Sequence, residues 1–469
     1  LALIWERMRD GWEEQSIRLK RLFQQRRSFE GGLYLPGRRE LTGHRPIEDL
    51  PWPGRLRVPM IQHDGPAAEI VVEPGRQVET GQLIGRAVQV NAVNVHAPRA
   101  GRITCIARAD TARAMDVPAV EIDLNDVPDA ADTTAPAAIA SPASRLSAAD
   151  LADCADDAGL ITSGMPALGL GGQLREAASR GISDVIINAL ESEPMLTADR
   201  RLVAQSFDAI ITAGIWVHEA LQARRVWLAV DRADRDRAAR CRSATQRTPI
   251  RVITLRNKYP QAAPVLLARA IVGRETPYGQ STVSAGVLVL EVAVLPALAA
   301  AVTHGTPMVD RVVTVTGPAA SRPGHYRIAI GTAFADVLRQ VGLRRPAAQV
   351  IDGGPMTGRV VESLDTVVTK QTSAILLLDR DSVRTPRPGP CVRCGWCHED
   401  CPVGLAPQGL LAIMERGELA GANRLHPHAC IDCGLCSYVC PAELPLAQAV
   451  ADLKRLVPIS LSSGTRAVG

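Results

Sequence analysis

Apolar and polar positions alternate in short runs over residues 29–124, with Gly and Pro interrupting them every few positions. That pattern predicts small sheets joined by tight turns. Within residues 68–85 the apolar positions Ile70, Val71, Val72, Val78, Leu83 and Ile84 are separated by turn signals at Pro74-Gly75 and Gly81. Residues 125–150, rich in Ala, Pro, Asp and Ser, read as a linker. Beyond it the period changes. Residues 184–190 and 225–230 are continuous apolar runs with helical stretches between them, which predicts βαβ units and a parallel sheet. Ligands of such sheets lie at the carboxyl ends of the strands, which places Glu191 and Glu193 there. Residues 311–378 predict a smaller α+β unit, with strands at 312–317 and 374–378 and a helix at 332–341. After a charged, Pro-rich connector at 381–390, residues 409–416 and 446–457 carry helical patterns with no strand signal.

At the N-terminus Leu1, Trp5, Met8, Trp12, Leu19 and Leu22 recur at helical spacing, with Arg18, Lys20, Arg21, Arg26 and Arg27 among them. An amphipathic helix over 1–28 is expected, either packed on its own domain or docked on a membrane surface or a partner. Arg7, Arg9, Asp10, Glu13 and Glu14 break any signal-peptide core. The expected division is therefore helix 1–28, β-rich domain 29–124, linker 125–150, α/β domain 151–308, α+β domain 309–380, connector 381–390, helical domain 391–457 and tail 458–469. A net charge of +4 on 469 residues gives no reason to expect nucleic acid. The most apolar window, 283–302, contains Glu291 and Pro296, so it reads as a buried strand and helix rather than a membrane span.

The chemistry is carried by cysteine. The spacing C-x2-C-x2-C-x3-C-P occurs twice, as Cys391, Cys394, Cys397, Cys401-Pro402 and as Cys430, Cys433, Cys436, Cys440-Pro441. In such runs the fourth Cys ligates the other cluster. Two [4Fe–4S] clusters are expected, one on Cys391, Cys394, Cys397 and Cys440, the other on Cys430, Cys433, Cys436 and Cys401. Tetrahedral zinc has no use for the third Cys at the same interval, and disulfides suit small secreted domains. Free thiols and cluster assembly favour a reducing compartment. The other three cysteines, Cys105, Cys154 and Cys241, read as packing residues.

Residues 68–85 and 95–103 resemble the barrel-sandwich hammerhead of biotinyl and lipoyl carriers, but residues 90–94 lack the modified Lys, so a structural role is expected. Taken with Phe29-Glu30-Gly31-Gly32, residues 58–63, Val95-His96-Ala97-Pro98, Lys258-Tyr259-Pro260 and both cysteine runs, the chain resembles the C subunit of the Rnf electron-transport complex. Its middle region resembles the flavin subunit of respiratory complex I. The resemblance implies a multidomain α/β architecture: a barrel-sandwich hybrid, a Rossmann-like domain binding FMN and NAD(H), a β-grasp domain of the soluble-ligand-binding (SLBB) kind and an α-helical ferredoxin. It also implies a peripheral subunit on the cytoplasmic side of the cell inner membrane. Other Rnf subunits, among them membrane subunits and a ferredoxin-like iron–sulfur subunit, would be its partners. Electrons would pass between NAD(H) and ferredoxin, coupled to ion translocation elsewhere in the complex.

Gly159, Gly164, Glu191, Glu193 and Lys258 are the positions that the resemblance assigns to FMN or NAD(H). Around them this chain departs from the family. Ile161 and Thr162 stand where the flavin loop has its central glycines, Ser192 replaces a Cys, and Gln261-Ala262-Ala263 follows the Lys-Tyr-Pro motif. Leu290 and Glu291 stand where the family has amide side chains. β-Branched residues in place of close-approach glycines crowd a cofactor. Two readings follow: an NADH-oxidising flavin subunit, or an electron-relay and assembly subunit whose flavin site is lost. A cobalamin reductase is a third, disfavoured by the N-terminal parts.

Overall fold

A computed structural model describes residues 28–125, 145–164 and 166–457. The expected amphipathic helix, most of the linker and the tail lie outside the described residues.

The alternating N-terminal region folds into two small antiparallel sheets. One has the order Arg55–Pro59, Val117–Asp123, Gly101–Ala109, Gln77–Val78, and the other Glu69–Ile70, Leu83–Arg86, Val95–His96. Period-2 patterning aims Leu56, Val58, Ile84, Ile103 and Ile122 inward, all fully buried. At the tip where a carrier would present its Lys, Asn94 is tied down instead. Its side chain accepts from Ala87 N–H at 2.8 Å and donates to the Asp156 carbonyl at 3.1 Å.

The next unit is a parallel sheet in the order Ile250–Leu255, Arg225–Asp231, Asp184–Asn188, Val287–Glu291. The apolar runs of 184–190 and 225–230 become its two central strands, covered by helices on their faces as parallel sheets require. Asp184, buried at a strand start, is satisfied by Arg225, Trp227 and Ser183, with the Trp227 indole donating at 2.9 Å. Residues 283–302 form the strand Val287–Glu291 and the helix Leu295–His304, as the pattern predicted.

The third sheet is mixed and six-stranded, in the order Ile47–Asp49, Gly324–Ala329, Asp310–Thr316, Ala374–Leu378, Gln349–Asp352, Arg359–Val360. Helix Phe334–Val341 packs on it through Phe334, Val337, Leu338 and Val341. Its first strand comes from the N-terminal region, residues 47–49. Ile47 pairs with His325, and local periodicity carries no information about a partner that far along the chain.

The cysteine-rich unit is helical, with Pro407–Arg416 and Leu446–Leu456 packed through Leu410, Val450 and Leu453. Pro407 at the first turn and Gly417 in the left-handed conformation after the last delimit the first of these.

Lys370 ties three units together. It is 1 % exposed, and its ammonium donates to the carbonyls of Asn94 at 2.9 Å and Gly159 at 2.7 Å. Burial pulls its pKa from 10.5 down to about 7. The unfolded chain therefore holds the proton that the folded chain releases between about pH 7 and 10.5. This stabilisation is complete above the unfolded pKa and is lost as pH falls through the folded one. Denaturant titrations should show wild type gaining on Lys370→Met as pH rises through that window. The gain should reach a few kcal/mol, on the order of 1.4 kcal/mol for each tenfold change in proton affinity. A pH-independent difference would contradict the assignment.

Candidate functional site

The carboxyl ends of the parallel strands open on a cavity of about 1870 Å³. Its walls come from every unit. Ser163, Gly164, Asn188, Glu191 and Glu291 belong to the parallel-sheet unit, Arg311 and Gly354 to the six-stranded unit, and Cys401, Cys430 and Cys433 to the helical unit. The strand-end rule thus locates the site, and the helical domain closes one side of it.

The five residues expected at a cofactor have distinct placements. Gly164 lines the cavity. Gly159 lies outside its lining: at φ +63° it lets the chain pass the Asn94 carbonyl and the Lys370 ammonium, both too near for a Cβ. Glu191 is in the wall, but its carboxylate accepts the Arg200 N–H at 2.8 Å at the first turn of helix Ala198–Gln205. Burial raises its pKa, opposed by that amide and by Arg39, Arg237 and Arg200. Burial, then Glu191 and Glu291, push the neighbouring Asp199 carboxyl well above the usual carboxylate range.

Glu193 binds the loop at 354–358, accepting from Met356 N–H at 2.6 Å, from Thr357 N–H at 3.3 Å and from the Thr357 hydroxyl. Burial raises its pKa against those three donors. It holds a wall in place rather than presenting a carboxylate to a ribose. Lys258 likewise faces the cavity with its ammonium engaged, donating to the Phe29 carbonyl at 2.8 Å above the Phe29 ring.

Ile161 corrects a further expectation. Its side chain is fully buried in the core beneath the sheet and does not enter the cavity. Thr162 N–H donates to the Leu168 carbonyl at 3.0 Å, and Ile161 bridges Gly169. The loop is thus a short hairpin leading into helix Leu170–Arg180, which turns Ile161 away from the cavity and leaves Thr162 in its lining.

Three groups missed by sequence reasoning carry unsatisfied polar atoms in the cavity wall: Arg311 Nε, Thr276 Oγ1 and Gln371 Oε1, all buried and without a partner among the described residues. Only Arg311 left a trace in the sequence, as a cation heading an apolar strand. A roomy cavity with a buried cation, a hydroxyl and an amide oxygen awaiting partners suits a polar, anionic organic ligand. A flavin nucleotide fits these requirements, with Thr276 and Gln371 available to its polar atoms.

The two cysteine runs share one backbone course. Arg393 and Asp432, then Gly395 and Gly434, then Gly404 and Glu443, occupy matching positions and all have positive φ. Each run enters a one-turn helix, Trp396–Glu399 or Leu435–Tyr438. Burial raises the Cys397 thiol, and its thiol neighbours are Cys394, Cys440 and Cys391. Cys433 and Cys436, pushed up to about 12 by burial, both have Cys401 beside them. Cys440 thus lies near Cys397, and Cys401 near Cys433 and Cys436. Among the described residues no three His, Cys, Asp or Glu groups converge on a point suited to a single ion. Thiolates around a polynuclear cluster are held apart by its inorganic core, and the donor chemistry here, all sulfur, fits iron–sulfur ligation.

A strap joins this unit to the cavity. Gly32 N–H donates to the Asp400 carbonyl at 2.9 Å, Leu33 and Tyr259 exchange backbone hydrogen bonds, and the Tyr259 hydroxyl donates to the Cys433 carbonyl at 2.6 Å. Gly31, at φ +64°, passes so near that a Cβ would lie 2.7 Å from the Cys401 oxygen. The motifs Phe29-Glu30-Gly31-Gly32 and Lys258-Tyr259-Pro260 thus meet in space, seating the second cysteine set against the cavity.

Three family descriptions match the chain: "RnfC Barrel sandwich hybrid domain" over residues 27–126, "Nuo51 FMN-binding domain" over 156–300 and "4Fe-4S dicluster domain" over 390–444. Its curated relatives are C subunits of ion-translocating oxidoreductase complexes. That of Edwardsiella ictaluri is 33% identical over 88% of this chain and 51% of its own length. That of Rhodobacter capsulatus is 32% identical over 90% of this chain and 82% of its own. That of Yersinia pestis is 34% identical over 83% and 63%. The chain thus spans about half the length of the Edwardsiella relative. Among solved structures, an NAD+-reducing [NiFe]-hydrogenase in the H2-reduced state has TM-score 0.48 at 17% identity, covering 69% of this chain and 63% of that one.

Proposed function

The chain belongs to the family of C subunits of ion-translocating oxidoreductase complexes, and on that premise we propose that it is the peripheral electron-transfer subunit of an Rnf-type membrane complex. It exchanges electrons with NAD(H) at the cavity and passes them through two [4Fe–4S] clusters toward ferredoxin, with ion translocation in other subunits. Its partners are those membrane subunits and an iron–sulfur subunit, met at the cytoplasmic face. Among the described residues no helix is long and apolar enough to cross a membrane, in keeping with attachment through partners. The mixed sheet is read as a β-grasp domain of the SLBB kind.

One observation carries the reading: Cys401, Cys430 and Cys433 line the same cavity as the loop at 162–164 and the strand end at Glu291. A cofactor in that cavity would adjoin the second cysteine set directly. Cys391 and Cys394, of the first set, are exposed. Cys436 has Cys397 near it, so the two sets are neighbours. This placement supports the order cavity, second set, first set, surface. FMN, when bound, supplies exchange between two-electron and one-electron chemistry, and the clusters supply one-electron steps. The chain's own residues position these groups. Tyr259 and Gly31 hold the second set against the cavity, Glu193 holds the loop behind it, and Arg311 supplies a buried cation.

The test uses the full chain purified anaerobically, with flavin and iron counted per chain and NADH added. Bleaching of the cluster absorbance by NADH, with flavin present, is expected. Retained clusters without flavin or bleaching would favour the relay-only reading instead.

A further inference from the structure

The backbone that faces the cavity at the loop is already occupied by the chain itself. The strand Val287–Glu291 ends with its last side chain turned onto residues 162–164, where one Glu291 carboxylate oxygen accepts the Ser163 N–H at 2.9 Å and also the Ser163 hydroxyl. The other carboxylate oxygen lies 3.1 Å from the position a Cβ would take on Gly164, covering the bare glycine face. A loop N–H beside a bare glycine is where an anionic or electron-rich ligand atom would ordinarily settle. Here a carboxylate from the same chain has taken that position.

The surroundings stabilise it there. Arg311, 5 % exposed, donates to the Ser163 hydroxyl at 3.4 Å, and its charge acts on Glu291 and Asp199. Glu191 and Asp199 are further acidic groups in the lining, and burial, then Glu191 and Glu291, raise the Asp199 carboxyl well above the usual carboxylate range. We propose that Glu291 is a built-in anionic occupant of the cofactor loop, and that its charge sets how tightly this chain holds a flavin phosphate. A ligand entering the cavity meets a fixed negative charge and must displace or tolerate it, whereas a neutral side chain of the same shape would keep the Ser163 hydrogen bonds without repelling it. This inference rests on the reading of residues 156–300 as a flavin-binding region.

Glu291→Gln isolates the charge. Titration of the flavin-free, cluster-loaded chain with FMN, followed by flavin fluorescence, is expected to show about tenfold tighter binding in the variant, the size a single nearby charge produces in a partly buried site. Riboflavin, which lacks the phosphate, should change by less than about threefold. An unchanged FMN affinity, or an equal gain for riboflavin, overturns the proposal while leaving the flavin reading intact. Failure of both proteins to bind FMN overturns the flavin reading as well. Cluster absorbance serves as the folding control, and Glu291→Asn, shorter and equally neutral, takes its place if Gln disturbs the fold; it should give the same ordering of FMN over riboflavin.

Discussion

Cys440→Ser is expected to cost the chain the cluster of Cys391, Cys394 and Cys397, although Cys440 belongs to the second run in sequence. The thiol neighbours of Cys397 include Cys440, and those of Cys433 include Cys401. Removing one of four thiolates leaves an iron of that cluster without its protein ligand. Iron should fall from about eight to about four per chain. Double variants decide the pairing. Cys391→Ser with Cys440→Ser should lose no more iron than either alone, whereas Cys430→Ser with Cys440→Ser should lose nearly all of it. The opposite pattern would mean that each run binds its own cluster. Cys401→Ser should remove the set lining the cavity and with it all NADH-driven reduction of the remaining cluster.

Gly31→Val should reproduce the iron loss of Cys401→Ser without touching a ligand. Its φ of +64° is unfavourable for a β-branched residue, and its Cβ would fall 2.7–2.9 Å from backbone atoms of Cys401 and Asp400. Backbone cannot rotate aside as a side chain can. The strain, on the order of 1–3 kcal/mol, is relieved by moving the Cys401 loop off its seat. Iron should again fall by about half, from the second set alone, with the first retained. Gly172→Ala, where no atom lies within 4 Å of the added Cβ and the site is helical, is the matched control and should leave iron unchanged and thermal stability no lower. Full iron in Gly31→Val would show that the strap does not position the cluster loop.

Several elements were legible from local pattern alone. The strand Ala374–Leu378 lies where its apolar run ends on both sides, and Asp184–Asn188 and Arg225–Asp231 emerge within two residues of their predicted limits. The strand-end rule put Glu191 in the cavity wall, but not what its carboxylate would bind. Glu193 and Lys258 are spent on the loop at 354–358 and on Phe29, partners far along the chain. Ile161 was expected to crowd the cofactor, yet the hairpin turns it into the core.

By itself the sequence determined the donor set, the doubled cysteine interval and the alternation of strands with helices, because covalent spacing and side-chain periodicity are local and survive without a fold. Tertiary structure decided that Cys401, Cys430 and Cys433 line the cavity, that Ile47–Asp49 completes a remote sheet, and that Glu291 lies on the loop at 162–164. These depend on burial and hydrogen bonding between segments far apart in the chain. Such pairings are selected by the free energy of the whole packed chain, which no local stretch of sequence encodes.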